Sequence, residues 1–279
     1  MIRKIFPFIL LTALIFGCDK NKSTNTKTMS ETIHIAFLHH STGQVVWQGN
    51  TSKIAFKLFK KGDVTKWFST YNKQNNTNYR IENFIFPKET PYGWKNYPYD
   101  YFNIWVKNAG NKEYMQEPTL EILTKKYNVI IFKHCFPVSK ILADTGNPNA
   151  DSEEKRLENY KLQYNSLKEK MKSFPETKFI VWTGAALPKA NTTEDNAIRA
   201  REFRDWVITE WDKPNDNIFI WDFFDLETEG GLYLKPEFAS GPKNAHPNKT
   251  FAGKAAPLFC KRIIDVIEDR GDTQSLPLK

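Results

Sequence analysis

The chain has 279 residues, enough for one large domain or two small ones. It is 40% hydrophobic and 14% aromatic, which excludes the disordered class. Its net charge of +8 is spread along the chain without a block of like charges, and no nucleic-acid-binding motif is present. The lysine excess therefore reads as a solvated surface, and nucleic acid is not assigned as a partner.

At the amino end, Arg3 and Lys4 precede an apolar stretch from Ile5 to Phe16. At about 1.5 Å per residue this stretch falls short of a bilayer core of about 30 Å, so it does not read as a spanning helix. It has the pattern of a secretory signal peptide. The segment Ile15-Phe16-Gly17-Cys18 resembles a bacterial lipobox, which implies cleavage before Cys18 and acylation of that cysteine. Several acyl chains anchor a protein far more firmly than one. Residues 1–17 are therefore expected to be a lipoprotein signal peptide. Residues 18–31 would be the lipidated cysteine with a polar tether, and 32–279 one domain. The expected location is the bacterial cell envelope, periplasmic or cell-surface, with the membrane as a partner through the anchor. The remaining cysteines, Cys135 and Cys260, read either as one disulfide or as two buried thiols.

Within the domain, strand-like and helix-like segments alternate. Residues 33–38 (IHIAFL) predict a buried strand, and 51–61 a helix stopped by Gly62. Asp63 is placed to cap a short helix carrying Val64, Trp67, Phe68 and Tyr71. Residues 79–86 read as a second strand. An aromatic loop follows, with Tyr92, Trp94, Tyr97, Tyr99, Tyr101, Phe102 and Trp105. A short helix is expected over 118–126 and a strand over 128–133. The helical spacing of Leu157, Tyr160, Tyr164, Leu167 and Met171 predicts a helix over 151–173, with Asp151 and Glu154 as a variant capping box. Strands follow at 178–182 and 217–221, around a helix at 193–211. A last helix over 250–269 contains Pro257. Five short apolar strands with helical crossovers predict an α/β domain, a three-layer α/β/α sandwich with a five-stranded parallel sheet. Sites in such folds form beyond the carboxyl ends of the strands.

Two constellations sit where that rule points. The first strand runs into His39-His40-Ser41-Thr42-Gly43. A serine just past a strand, followed by glycine and a helical stretch, is either a nucleophile in need of a base or a turn that caps a helix. Far away in sequence, Asn244-Ala245-His246-Pro247-Asn248 sets a histidine before the last helix, and Asn248 is a cap. Four of the five histidines, His39, His40, His134 and His246, fall at strand ends or beside that helix. Three converging imidazoles would make a metal site. The preferred reading is that they serve as oxyanion donors or core hydrogen-bonders, so neither metal nor cofactor is assigned.

A serine after strand one and a histidine before the final helix of a five-stranded α/β/α domain resemble the SGNH, or GDSL-like, hydrolases. The likeness spans roughly residues 32–270, mostly as fold order, and implies a flavodoxin-like SGNH hydrolase fold. HHSTG stands where that family has a GDS-type block, which implies Ser41 as nucleophile. NAHPN is similar to the histidine block, which implies His246 as base. Gly93, in Tyr92-Gly93-Trp94, corresponds to the family's oxyanion glycine. His134 sits where an asparagine donor is usual, and His40 and Trp94 join the oxyanion or substrate-binding set. The sequence departs from the family in lacking an Asp before Ser41, where His40 stands, and an Asp three residues before His246, where Lys243 stands. The imidazole is then oriented by Asn244, by a backbone carbonyl, or by Asp222 or Asp225. The implied activity is an esterase acting on acyl esters, small or carried on glycans. Two alternatives stay open: a degenerate domain that only binds glycan on its aromatic loop, and a histidine-ligated metal hydrolase.

Overall fold

The computed structural model describes residues 31–272. The expected signal peptide, Cys18 and nearly all of the tether lie outside the described residues.

Strand β1 (Thr32–His39) leads directly into α1 (Ser41–Gln48), followed by α2 (Lys53–Phe59) and α3 (Asp63–Asn75). Then come β2 (Asn78–Ile85), α4 (Pro98–Phe102), α5 (Leu120–Leu123) and β3 (Val129–Phe132). The second half holds α6 (Leu157–Lys172), β4 (Lys178–Trp182), α7 (Glu194–Trp206), β5 (Ile218–Trp221) and α8 (Phe223–Thr228). A small hairpin, β6 (Ala239–Gly241) and β7 (Asn244–Pro247), precedes the closing helix α9 (Lys249–Ile267).

The five main strands form one parallel sheet in the order β2-β1-β3-β4-β5, the flavodoxin-like doubly wound order. β1, β3, β4 and β5 are apolar on both faces because helices cover both. On one side Phe37, Ile131, Trp182 and Trp221 pack with Val46, Phe68 and Phe259 from α1, α3 and α9. On the other, Leu38, Phe132, Val181 and Ile220 pack with Tyr101, Tyr164 and Phe203 from α4, α6 and α7. Each such side chain contributes about 1.5–3 kcal/mol when fully buried. The architecture is thus the predicted three-layer α/β/α sandwich. In this order the chain reverses direction across the sheet between β1 and β3, and the crevice that opens there is where ligands of such folds bind.

Several local expectations are corrected. The helix expected over 151–173 begins only at Leu157, with Arg156 as its cap, so the proposed Asp151–Glu154 box does not form. The preceding loop instead folds back onto the first turn: the backbone N–H groups of Thr145 and Gly146 donate to Glu158, and that of Asn149 to Asn159. The aromatic loop is partly helical. Pro98 starts α4, Asp100 accepts the Tyr97 N–H at 2.8 Å, and the helix relaxes into a π-turn at Asn103–Lys107. Asp63 lies inside α3 rather than capping it, and its carboxylate holds the Asn50 N–H and the Thr51 hydroxyl. The last helix is as expected: α9 contains Pro257. Cys135 and Cys260 are both buried free thiols.

Candidate active site

Ser41 is the first residue of α1, immediately beyond β1. His40 caps the helix in extended conformation without a side-chain cap, and the first intrahelical bond runs from Gln44 N–H to His40 O at 3.2 Å. The amides of Ser41, Thr42 and Gly43 therefore have no intrahelical acceptor and carry the positive end of the helix dipole. Gly43 has a steric reason: a Cβ there would meet His39 Cβ at 2.5 Å, so only glycine lets α1 settle over His39. His39 is buried with both ring nitrogens occupied, Nδ1 donating to His40 O at 2.8 Å and Nε2 accepting from Asn83 at 3.1 Å. Burial pushes its pKa down to about 3, so it is a neutral structural imidazole.

His40 Nε2 donates to Pro87 O at 2.7 Å, while among the described residues its buried Nδ1 finds no partner, nor does the buried Thr42 hydroxyl. Trp94 lies over the His40 ring, centroids 4.5 Å apart, and is half exposed. Two of the residues singled out in the sequence, His40 and Trp94, thus meet beside Ser41. Gly93 adopts φ +129, open only to glycine at low cost, but its N–H is used in a turn to Lys88 O at 3.3 Å. In this conformation it is not free to hold an oxyanion.

His246 lies on β7, and the hairpin packs against α1, the helix that Ser41 begins. Among the described residues no hydrogen bond joins Ser41 and His246, which is compatible with the loose geometry of ligand-free sites. Asn244 Oδ1 accepts both the backbone N–H of His246 at 3.0 Å and its Nδ1 at 2.9 Å. The backbone donor identifies Oδ1 as the acceptor, so Nδ1 carries the proton and Nε2 is left as the free base. Phe136 packs edge-on against the ring at 5.3 Å. Partial burial, and then the charge of Lys133, lower the pKa of His246 below its usual value. A shallow groove of about 420 Å³ runs past His246, between Phe136, Asn191 and the hairpin.

The two carboxylates considered as alternative orienters are engaged elsewhere. Asp222 accepts from Thr183 and Arg204, and Asp225 faces the same arginine. His134 is buried on the opposite side of the sheet, among Tyr101, Phe132 and Tyr164, with its Nε2 on the Tyr164 hydroxyl at 2.7 Å. It does not join Ser41 and His246. Among the described residues no three His, Cys, Asp or Glu side chains stand together as a metal site.

Sequence reasoning passed over Lys133 and Glu227. Both are buried near this rim, and Lys133 was signalled by a lone charge at the end of an apolar strand, VIIFK.

No family model matches the sequence, and no curated protein matches it. Among solved structures the chain is similar to a gut microbial diltiazem-metabolizing enzyme, at 13% identity and a TM-score of 0.46, over 83% of this chain and 47% of that one. It is also similar to a carbohydrate esterase whose active site displays divergent catalytic and non-catalytic binding functions, at 14% identity and 0.40, over 83% and 68%. A GDSL-like lipase from Bacteroides thetaiotaomicron aligns at 11% identity and 0.41, over 83% and 88%. The chain spans about half the length of the first of these. At such identities the likeness concerns chain path alone.

Proposed function

We propose that the chain is a serine ester hydrolase with Ser41 as nucleophile and His246 as general base. The observation that carries this reading is the Asn244–His246 pair. By holding Nδ1–H, Asn244 does the orienting work usually done by a carboxylate, and it leaves a neutral Nε2 on a hairpin that packs against the helix Ser41 begins. In the first step Ser41 Oγ forms a bond to the ester carbonyl carbon as its proton passes to His246 Nε2. The carbonyl oxygen takes the negative charge, and in this reading the uncapped amides of α1 hold it; one such donor is worth roughly 3 kcal/mol. The tetrahedral species then expels the alcohol, which leaves with the proton from Nε2, and water releases the acyl group by the reverse sequence.

The substrate class in this reading is an acyl ester on a carbohydrate. Its support is Trp94, a flat and half-exposed ring beside His40 that suits a sugar face. Display at the cell envelope through an acylated Cys18 is part of the same proposal.

The test is hydrolysis of p-nitrophenyl acetate by the purified domain against its Ser41→Ala variant. The reading expects a loss of about 10³-fold or more with the fold unchanged. Equal rates would sink it and leave the glycan-binding alternative.

A further inference from the structure

Helix α2 has no buried residue, yet the fold pins it at both ends. The Ser52 hydroxyl accepts the Ala55 N–H at 3.1 Å and caps the first turn. Lys60 adopts φ +54 and closes the last turn, its N–H donating to Phe56 O at 2.8 Å. Just before the helix, the Thr51 hydroxyl donates to Asp63 at 2.7 Å and accepts from Lys66 at 2.7 Å. Just after it, Gly62 lies against the Trp47 carbonyl, with no room there for a side chain. The helix is therefore presented in a set orientation.

What it presents is unusual for a water-facing helix. Phe56 packs inward against the core. Ile54, Leu58 and Phe59 face solvent and are 75%, 69% and 69% exposed. Ile54 and Leu58 stand one turn apart on a single face, with Lys53 and Lys57 as the row beside them. Lys60 and Lys61 follow at the end of the helix. All four lysines are exposed, and no acidic residue stands between Thr51 and Gly62. A surface helix of a water-soluble fold normally turns its apolar side chains to the core. Large apolar side chains among lysines instead match helices that lie in a membrane interface, with the apolar groups among the acyl chains and the ammonium groups at the headgroups.

We propose that α2 is a membrane-contact element that seats the domain on a bilayer rich in anionic lipid. Charge argues against a second copy as the occupant. Meeting α2 against α2 would set the lysines of both copies against one another, with no acid on either helix to answer them. Shape argues for a fluid partner: α2 is a ridge, and a bilayer closes around single protruding side chains. The acylated Cys18 of the proposed lipoprotein would keep the helix within reach, because residues 18–31 extend to at most about 50 Å. The inference stands apart from the hydrolase reading, and its measurement needs no acyl chain.

Residues 32–279 carry the whole sheet and both packed layers, so they fold without the amino-terminal segment, whose apolar leader would itself bind lipid. The experiment sediments this domain with vesicles of equal parts phosphatidylcholine and phosphatidylglycerol. The parent is expected to partition onto them, and about tenfold or more weakly onto phosphatidylcholine alone. The double variant Lys53→Gln/Lys57→Gln should lose about tenfold on the anionic vesicles, and Ile54→Gln/Leu58→Gln about tenfold or more. All four side chains are exposed, so thermal unfolding should stay at the parent value. Lys112→Gln/Lys213→Gln removes the same charge from exposed sites elsewhere and should bind as the parent does. A parent that ignores anionic vesicles overturns the proposal, as do α2 variants that bind like the parent or a control variant that loses as much. Self-association that disappears in Ile54→Gln/Leu58→Gln, without vesicle binding, would overturn it in favour of a second copy.

Discussion

Two regions of the domain are rich in the residues that usually signal function, and they behave in opposite ways. The aromatic segment around α4 is packed as core: Tyr101, Ile104 and Trp105 are fully buried against Phe86 and Phe132. The polar tips of its large aromatics are satisfied, with the Tyr101 hydroxyl on Lys133 O at 3.0 Å and the Trp105 indole on Pro118 O at 3.2 Å. The rim at the carboxyl ends of β1 and β3 is the reverse. There, among the described residues, His40 Nδ1, the Thr42 hydroxyl and one oxygen of Glu227 are buried without partners, and Lys133 is a buried charge without an ion pair. Native interiors satisfy nearly all their polar atoms, and orphans such as Asn96 Oδ1 and Gln163 Oε1 also occur away from the rim; what sets the rim apart is that its orphans stand beside the candidate nucleophile at the sheet's switch point. Residue type alone does not separate core from site; position relative to the strand ends does.

This contrast can be broken from the aromatic side first. Trp105→Ala should cost about 3–5 kcal/mol of stability, since it opens a large cavity and orphans the Pro118 carbonyl. Hydrolysis per folded molecule should stay at the parent value, which denaturant titration beside an activity assay would establish. A stable Trp105→Ala protein with lost activity would move the segment from core to site.

The rim gives a smaller, opposite effect. Asn244→Ala should lower kcat roughly ten- to a hundredfold, because the imidazole loses its tautomer lock. That is less than the ~10⁴-fold loss expected where a charged carboxylate is replaced, since a neutral amide stabilises imidazolium less. Asn244 is exposed, so the stability change should stay within about 0.5 kcal/mol, to be checked by thermal unfolding. An unchanged kcat would show that the Asn244 contact is incidental.

The fold was legible because its strands announce themselves. IFIW and KFIVW have no polar face, and that pattern demands helices on both sides. Ser41 and His246 were singled out from their positions relative to those strands. What the sequence concealed depends on partners distant along the chain. The start of α6 is decided by Glu158 and Asn159 capturing the loop before it, against the local pattern at Asp151 and Glu154. The hairpin of β6 and β7 is too short to leave a periodic signal, yet it delivers both His246 and Asn244. His134 reads as a donor from its place after β3, but one residue of strand alternation turns it to the far layer and leaves Lys133 on the near side.

The central claim is that Ser41 is made nucleophilic by His246. It is tested most directly by locating the adduct that a fluorophosphonate probe leaves on the protein, using peptide mass spectrometry. The account predicts a single modification on Ser41, reduced to background in His246→Ala. A protein that hydrolyses esters but carries the label on another residue, or labels Ser41 equally without the imidazole, would contradict it.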